Sequence, residues 1–177
     1  MKVYRVLFAA VCAAVFSTAS VAYARPIGTL ACTSSAGIVK FNVSYFNFGV
    51  TNAQNIGSQT GGAGAGKVTF EPLDVHAALS TFASLMDAAA TGQVFQSCTL
   101  STVFGDGSQA EFEFKLVAIS SLSASASMPA RNGEAARYTD VNLVYGAVQV
   151  KSSGSADDGG TGTVQQGGWN QVTNQNQ

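Results

Sequence analysis

The sequence holds little of what most protein chemistry needs. Its 177 residues include one histidine, one tryptophan, three prolines and three cysteines, and only 11% are charged. The lone histidine, His76, has no cysteine or acid pair at ligand spacing, which excludes the familiar zinc patterns. Nine basic residues stand against ten acidic ones with no run or stripe of Lys and Arg. Nucleic-acid binding therefore has no electrostatic footprint, and a bare anionic membrane surface is equally unsuited. No G-x-S-x-G nucleophile elbow occurs. No apolar run reaches the roughly 18 residues that a membrane-crossing helix requires.

What is present begins with a leader. "MKVYRVLFAAVCAAVFSTASVAYA" has Lys2 and Arg5, an uncharged apolar run from Val6 to Phe16, and small residues ending in Ala22-Tyr23-Ala24. This is the order of a secretory signal peptide, with cleavage expected between Ala24 and Arg25. Cys12 follows Val11 inside the apolar run, which does not suit a lipid-attachment cysteine. The mature chain is then expected to be residues 25–177, a single soluble domain with seven basic and ten acidic residues, net charge −3. Its localisation is expected to be periplasmic or secreted, with no membrane span. Cleavage leaves Cys32 and Cys98. An even pair in an oxidising compartment suggests one disulfide closing a loop of roughly 66 residues; the alternative is two separate buried thiols.

The rest of the pattern is mainly β. Strands are expected over "IGTLACT" and "GIVKFNVSYFNFGV", then "VTFEPL", "QVFQSCTLSTVF", "QAEFEFKLVAISSLS" and "RYTDVNLVYGAVQV". A Gly-rich loop at 53–66 interrupts them, and a low-complexity tail follows from about residue 152. That tail carries Trp169, which is expected to dock on the body. In the second segment the apolar positions change phase: Phe41, Val43 and Tyr45 hold one parity, and Phe46, Phe48 and Val50 the other. A bulge near Tyr45–Phe46 is expected, with the two sets on opposite faces. In "EFEFKL" Phe112, Phe114 and Leu116 share one face. One helix is expected over about residues 75–91, with Asp74 as N-cap, Gly92 in the left-handed turn after it, and a stripe of Val75, Ala78, Leu79, Phe82, Met86 and Ala89.

Several local patterns invite a functional reading and fall short of it. "GGAGAGKV" (Gly61–Val68) approaches a phosphate-binding loop, but Val68 stands where Mg²⁺ coordination needs a hydroxyl, and a strand follows instead of a helix. His76 reads as a solvated or interface residue in the first helical turn. Asp157 and Asp158 lack the ordered oxygen ligands of a calcium loop. Glu111 and Glu113 are ~7 Å apart on one strand face, within the range of glycosidase carboxylates. Lys115 continues that face, which favours a solvated exterior over a hydrolase site.

Four blocks, in order, resemble the Hcp family (haemolysin-coregulated protein), the tube subunit of type VI secretion systems. They are "IVKFNVSYFNFGVTN", "KVTFEPLDVHAALSTFASLMDAAATGQ", "EFEFKLVAISSLSAS" with "EAARYTDVNLVYGAVQV", and "DDGGTGTVQQGGWNQ". Glu134 stands where the family has an acid before its last long strand, and Asn170 replaces the acid of a Gly-Trp-Asp-like ending. The resemblance implies a β-barrel of two small sheets with one flanking helix. It also implies hexameric rings that stack into a tube and carry secreted effectors, with no catalytic residue and no cofactor. Tube subunits of the family carry no signal peptide, so this chain would be an atypical, exported member. A different reading of the same barrel is a periplasmic or surface binding module for a protein or glycan, with the 53–66 loop as its contact.

Overall fold

The computed structural model describes residues 27–52, 68–126, 137–155 and 161–176. The expected leader with its Ala24–Arg25 junction, the Gly-rich loop at 53–66, Glu134, and Asp157 with Asp158 lie outside them.

Alternating burial writes most of the strands. In β1 (Gly28–Ser34), Leu30, Cys32 and Ser34 point inward; in β6 (Val94–Val103), Cys98, Leu100 and Thr102 do so. With β2 (Gly37–Asn47), β5 (Leu73–Ala78), β7 (Gln109–Ala126) and β8 (Arg137–Val144) they form a closed barrel in the order β7-β6-β1-β2-β5-β8, shut by pairing of β8 with β7. All of these contacts are antiparallel. Three further strands, β9 (Ala147–Ser155), β10 (Thr161–Asn170) and β11 (Gln175–Asn176), extend the sheet outward from β7. A small second sheet pairs β3 (Val50–Asn52) with β4 (Val68–Phe70) and prolongs the β2–β5 hairpin beyond the barrel. The core is built from Leu30, Val43, Leu73, Val75, Phe95, Leu100, Phe114, Val117, Val141 and Leu143, all essentially inaccessible to water.

The phase change in β2 is real, and its purpose differs from the expectation. The β2–β5 register shifts between Val43 and Tyr45, so Val43 faces Ala77 while Phe46 faces Val75. Both partners are core residues. The bulge thus returns the second apolar set to the same interior face, instead of sending it to the opposite one. Ser44, the extra residue, donates its hydroxyl to the carbonyl of His76 at 3.2 Å. Phe46 and Phe48 then pack on Phe112 and Phe114, with ring centroids 5.4–5.9 Å apart. Tyr45 and Val50 are left outside, 43% and 51% exposed.

The helix is shorter than its sequence pattern. Residues 73–78 form β5, Leu79–Thr81 make a 3₁₀ turn, and α1 spans only Phe82–Ala90 against β7. Asp74 is therefore a strand residue and caps nothing, and His76 lies mid-strand. The Ala-rich run suits a helix locally, but Leu73, Val75 and Ala77 alternate inward and β5 fills the slot between β2 and β8. Leu85 and Ala88 are the buried helical residues, while Met86 is 51% exposed. Gly92 does take the left-handed conformation after the helix, at φ 65°.

Two more boundaries move. "RYTDVNLVYGAVQV" is two strands that part at Tyr145–Gly146, and the low-complexity tail is structured: Lys151–Ser155 completes β9 and Thr161–Asn170 is a full strand. Trp169 lies opposite Val148 in that strand, partly buried. Leu116 leaves the face of Phe112 and Phe114; its φ of 55° turns it outward, and Val117 takes the interior position.

Two members of the second apolar set, one packed on the core and one exposed, should respond differently to charge. Phe48→Asp is expected to cost about 3 kcal/mol or more by urea unfolding, because it buries a carboxylate among rings. Val50→Asp should stay within about 0.5 kcal/mol.

Candidate functional surface

Cys32 and Cys98 are directly opposed in the β1–β6 register, with Cα atoms 4.0 Å apart, and form a disulfide in the barrel interior. Both are almost fully buried, at 3% and 0% exposure. The bridge links residues 66 apart in sequence, so in the chain-entropy model it stabilises by about 4 kcal/mol.

His76, on β5, sits on the barrel's outer wall between two tyrosines. Its ring centroid is 4.6 Å from Tyr45 and 4.7 Å from Tyr138, the latter stacked at 16°. Its Nε2 lies 3.1 Å from Asp140 Oδ1, while Ser123 and Ser125 donate to Asp140 Oδ2 at 3.3 and 3.0 Å. Serine, histidine and aspartate meet here in an order that does not suit acyl transfer. The carboxylate occupies the centre and accepts from both sides, so among the described residues the histidine hydrogen-bonds no hydroxyl that it could deprotonate. The Tyr138 ring stacks on His76 and the Tyr45 ring meets it at a tilt of 34°, and the cluster ties the exposed faces of β2, β5, β8 and β7 together.

Glu111 and Glu113 lie on the exposed face of β7 as expected. Lys151 Nζ is 3.9 Å from Glu111 and Lys115 Nζ is 3.9 Å from Glu113. Such half-exposed pairs contribute little stability, and each places a cation beside a carboxylate that a glycosidase would need free to hold or accept a proton. Val68, the last residue of the phosphate-loop-like run, opens strand β4, so no helix N-terminus follows. Among the described residues no three His, Cys, Asp or Glu side chains stand close enough to hold a metal ion. No described helix is long and apolar enough to cross a membrane.

Among the described residues, Tyr145, at the junction of β8 and β9, is the one strongly perturbed group. Its hydroxyl donates to the carbonyl of Glu71 at 3.0 Å, and its ring meets Phe114 edge-on at 4.9 Å. Burial, aided by the negative charge of Glu71, pushes its pKa up to about 12. Sequence reading gave Tyr145 a strand parity and no role; its place at the end of an apolar alternation, directly before Gly146, was the available signal. In the Gly105–Ser108 turn, the Ser108 hydroxyl and backbone N–H both donate to Asp106 Oδ1 and lower that carboxyl's pKa.

The remaining surface is sheet and sheet edge. Asn170 ends β10 by accepting from the backbone N–H groups of Val172 and Thr173 at 2.9 and 3.0 Å, which turns the chain back into β11. The position expected to carry the family's acid thus works here as a turn cap, a task that an amide oxygen performs as well as a carboxylate.

The described residues form a closed antiparallel barrel with one flanking helix and a sheet extension. The family model for the type VI secretion system effector Hcp matches residues 32–151. The chain belongs to the Hcp family. It is also similar to a solved type six secretion system protein at 21% identity and TM-score 0.68, covering 85% of this chain and 99% of that one. Hcp1 from Salmonella typhimurium is similar at 13% identity and TM-score 0.59, with the same coverages. An Hcp1 mutant from E. coli EAEC 042 is similar at 14% identity and TM-score 0.54, covering 81% of this chain and 99% of that one. At these identities the structures speak for the fold. No curated protein matches the chain.

Reduction should shift the urea midpoint down by the equivalent of about 4 kcal/mol, and the unreduced denatured chain, once free of residues 1–24, should titrate no free thiol. Tyr145 makes a separate prediction. Its folded pKa lies above the ordinary value near 10, so folding favours the neutral phenol. The associated stability is complete below pH 10 and is lost as pH rises from about 10 through 12. Tyr145→Phe should lower stability by about 1 kcal/mol at neutral pH and remove this part of the alkaline loss, measured as the difference between the two pH profiles.

Proposed function

We propose that the chain is a non-enzymatic structural subunit that associates with copies of itself into hexameric rings able to stack. It would be exported by cleavage of residues 1–24 between Ala24 and Arg25 and act in the periplasm or outside the cell, where it could meet secreted effectors. The family match over residues 32–151 carries the reading. The dispersal of His76, Glu111 and Glu113 into structural contacts supports it, since each is held by a neighbour that blocks the chemistry it might otherwise perform. The interior disulfide supports the exported location, because such bridges persist where the surroundings oxidise. A binding-module reading would use the 53–66 loop, which lies outside the described residues and lends it no observation.

The full chain, expressed in a bacterial host and fractionated, is expected to yield a periplasmic or secreted form beginning at Arg25. Particle-size measurement and electron microscopy of that form should show rings. A strict monomer at high concentration would overturn self-assembly. A cytoplasmic chain retaining residues 1–24 would overturn export and leave assembly to be judged by the images.

A further inference from the structure

The two sulfur atoms of the bridge lie where the reagents that make or break a bridge cannot touch them. Across the barrel wall, Val39 of β2 stands opposite Cys32, Cys32 opposite Cys98, and Cys98 opposite Phe114 of β7. In the same register Leu30 lies opposite Leu100. Leu30, Leu100 and Phe114 are inaccessible to water, Val39 packs on the same core, and the two cysteines are 3% and 0% exposed. A disulfide forms when a thiolate attacks an oxidising disulfide and a second thiolate then displaces the first product from the mixed disulfide. Reduction runs through the same kind of mixed disulfide. Either reaction needs a reagent larger than water in contact with a sulfur that water itself barely reaches.

We propose that the bridge is made before the barrel closes and is then shut in, so that it works as a one-way redox latch. A chain still open when it meets a disulfide oxidant loses two protons and two electrons from its thiols. The oxidant leaves as two thiols, and Cys32 and Cys98 are joined. A chain that closes first buries both thiols and keeps them. Exchange on either form then proceeds only through opening of the barrel. The closed loop between residues 66 apart disfavours the open chain by roughly a thousandfold. Reductant therefore meets the bridged barrel open far less often than oxidant meets the reduced barrel open, which gives the latch its direction. Its consequence in the cell rests on the export reading. A chain carried across a membrane unfolded arrives open on the oxidising side, and only there does it acquire the lock. The redox state of a folded molecule thus records on which side of the membrane it closed.

The full chain carrying Cys12→Ala supplies the test, because Cys32 and Cys98 are then its only thiols. Samples are quenched in acid, denatured and counted for free thiols with a maleimide. Bridged, folded protein is given dithiothreitol in native buffer. The bridge is expected to persist there, and its loss to accelerate with urea in step with unfolding. Separately, the chain is reduced in urea, refolded without oxidant, and only then given glutathione disulfide. It is expected to keep two thiols roughly a hundredfold longer, or more, than the same chain held open in urea. A reduced chain that does not fold at all would support the same order of events, since closure would then require the bridge. Reduction of the folded protein, or bridging of the folded reduced chain, at the rate of the open chain would overturn the proposal. In cells, the leader-bearing chain is expected to be bridged, and a chain lacking residues 2–24 to keep two thiols after lysis into glutathione disulfide. A leader-bearing chain that stays in the cytoplasm and keeps its thiols in that buffer would support the latch and overturn export.

Discussion

One backbone edge has to serve two strands, and most of the architecture follows from how it does so. β7 gives one edge to β6; on the other, Gln109–Lys115 pairs with β9 and Ala118–Ala126 with β8. The changeover falls at Leu116, whose φ of 55° is costly for a branched side chain. Opposite it, Gly146 separates β8 from β9. The Gly146 N–H donates to the Lys115 carbonyl at 2.9 Å and its own carbonyl accepts from Gln171 at 2.8 Å, so the ladder continues through the gap. A Cβ at Gly146 would press on Leu116 and Val172 at 3.2 Å. One strand thereby closes the barrel and starts the extension, at a point where a side chain on residue 146 would crowd Leu116 and Val172.

The same switch sets the two halves of the core. On β7 the interior residues are Phe112 and Phe114 before Leu116, and Val117 and Ile119 after it; on β6 the parity changes in step, from Phe95 to Cys98. The open half, formed where the sheet leaves the barrel, needs cover from elsewhere. The β2 bulge provides it by aiming Phe46 and Phe48 at Phe112 and Phe114. Two irregular points on distant strands are therefore one solution to one problem. Each turns apolar side chains back to an interior that a regular strand would have turned away from.

Much of this was legible in the sequence, with the gaps where local pattern and distant pairing disagree. Period-two alternation located β1, β2, β6 and β7, and the ordered blocks located the family. The phase change at Tyr45–Phe46 was visible, but its direction was not, because parity counted along one strand cannot tell a bulge from a change of face. Val75–Ala78 read as helix, with Asp74 as its cap, because alanines continue past them; the partners of this segment in β2 and β8 are about 30 and 65 residues away. Leu116 fitted the alternation of its strand and departed from it only because β8 and β9 divide its neighbour edge. The C-terminal strand had no apolar pattern to detect. β10 is held by its backbone ladder to β9, and backbone hydrogen bonds leave no periodic trace in side-chain types.

The disulfide ties register to compartment. A slip of one residue between β1 and β6 would turn Cys32 away from the face that carries Cys98, and every other inward residue of β1 with it. The bridge and the hydrophobic pattern therefore specify the same register, Leu30 opposite Leu100 and Cys32 opposite Cys98. In a reducing compartment the hydrophobic pattern would specify it alone, with two buried thiols packing as small apolar groups. In an oxidising one, the barrel gains a covalent lock where β1 and β6 face each other inside it. The benefit of that lock arises only outside the cytoplasm. The leader proposed for residues 1–24 and the pairing of two cysteines 66 residues apart thus bear on the same choice of compartment by unrelated physical routes.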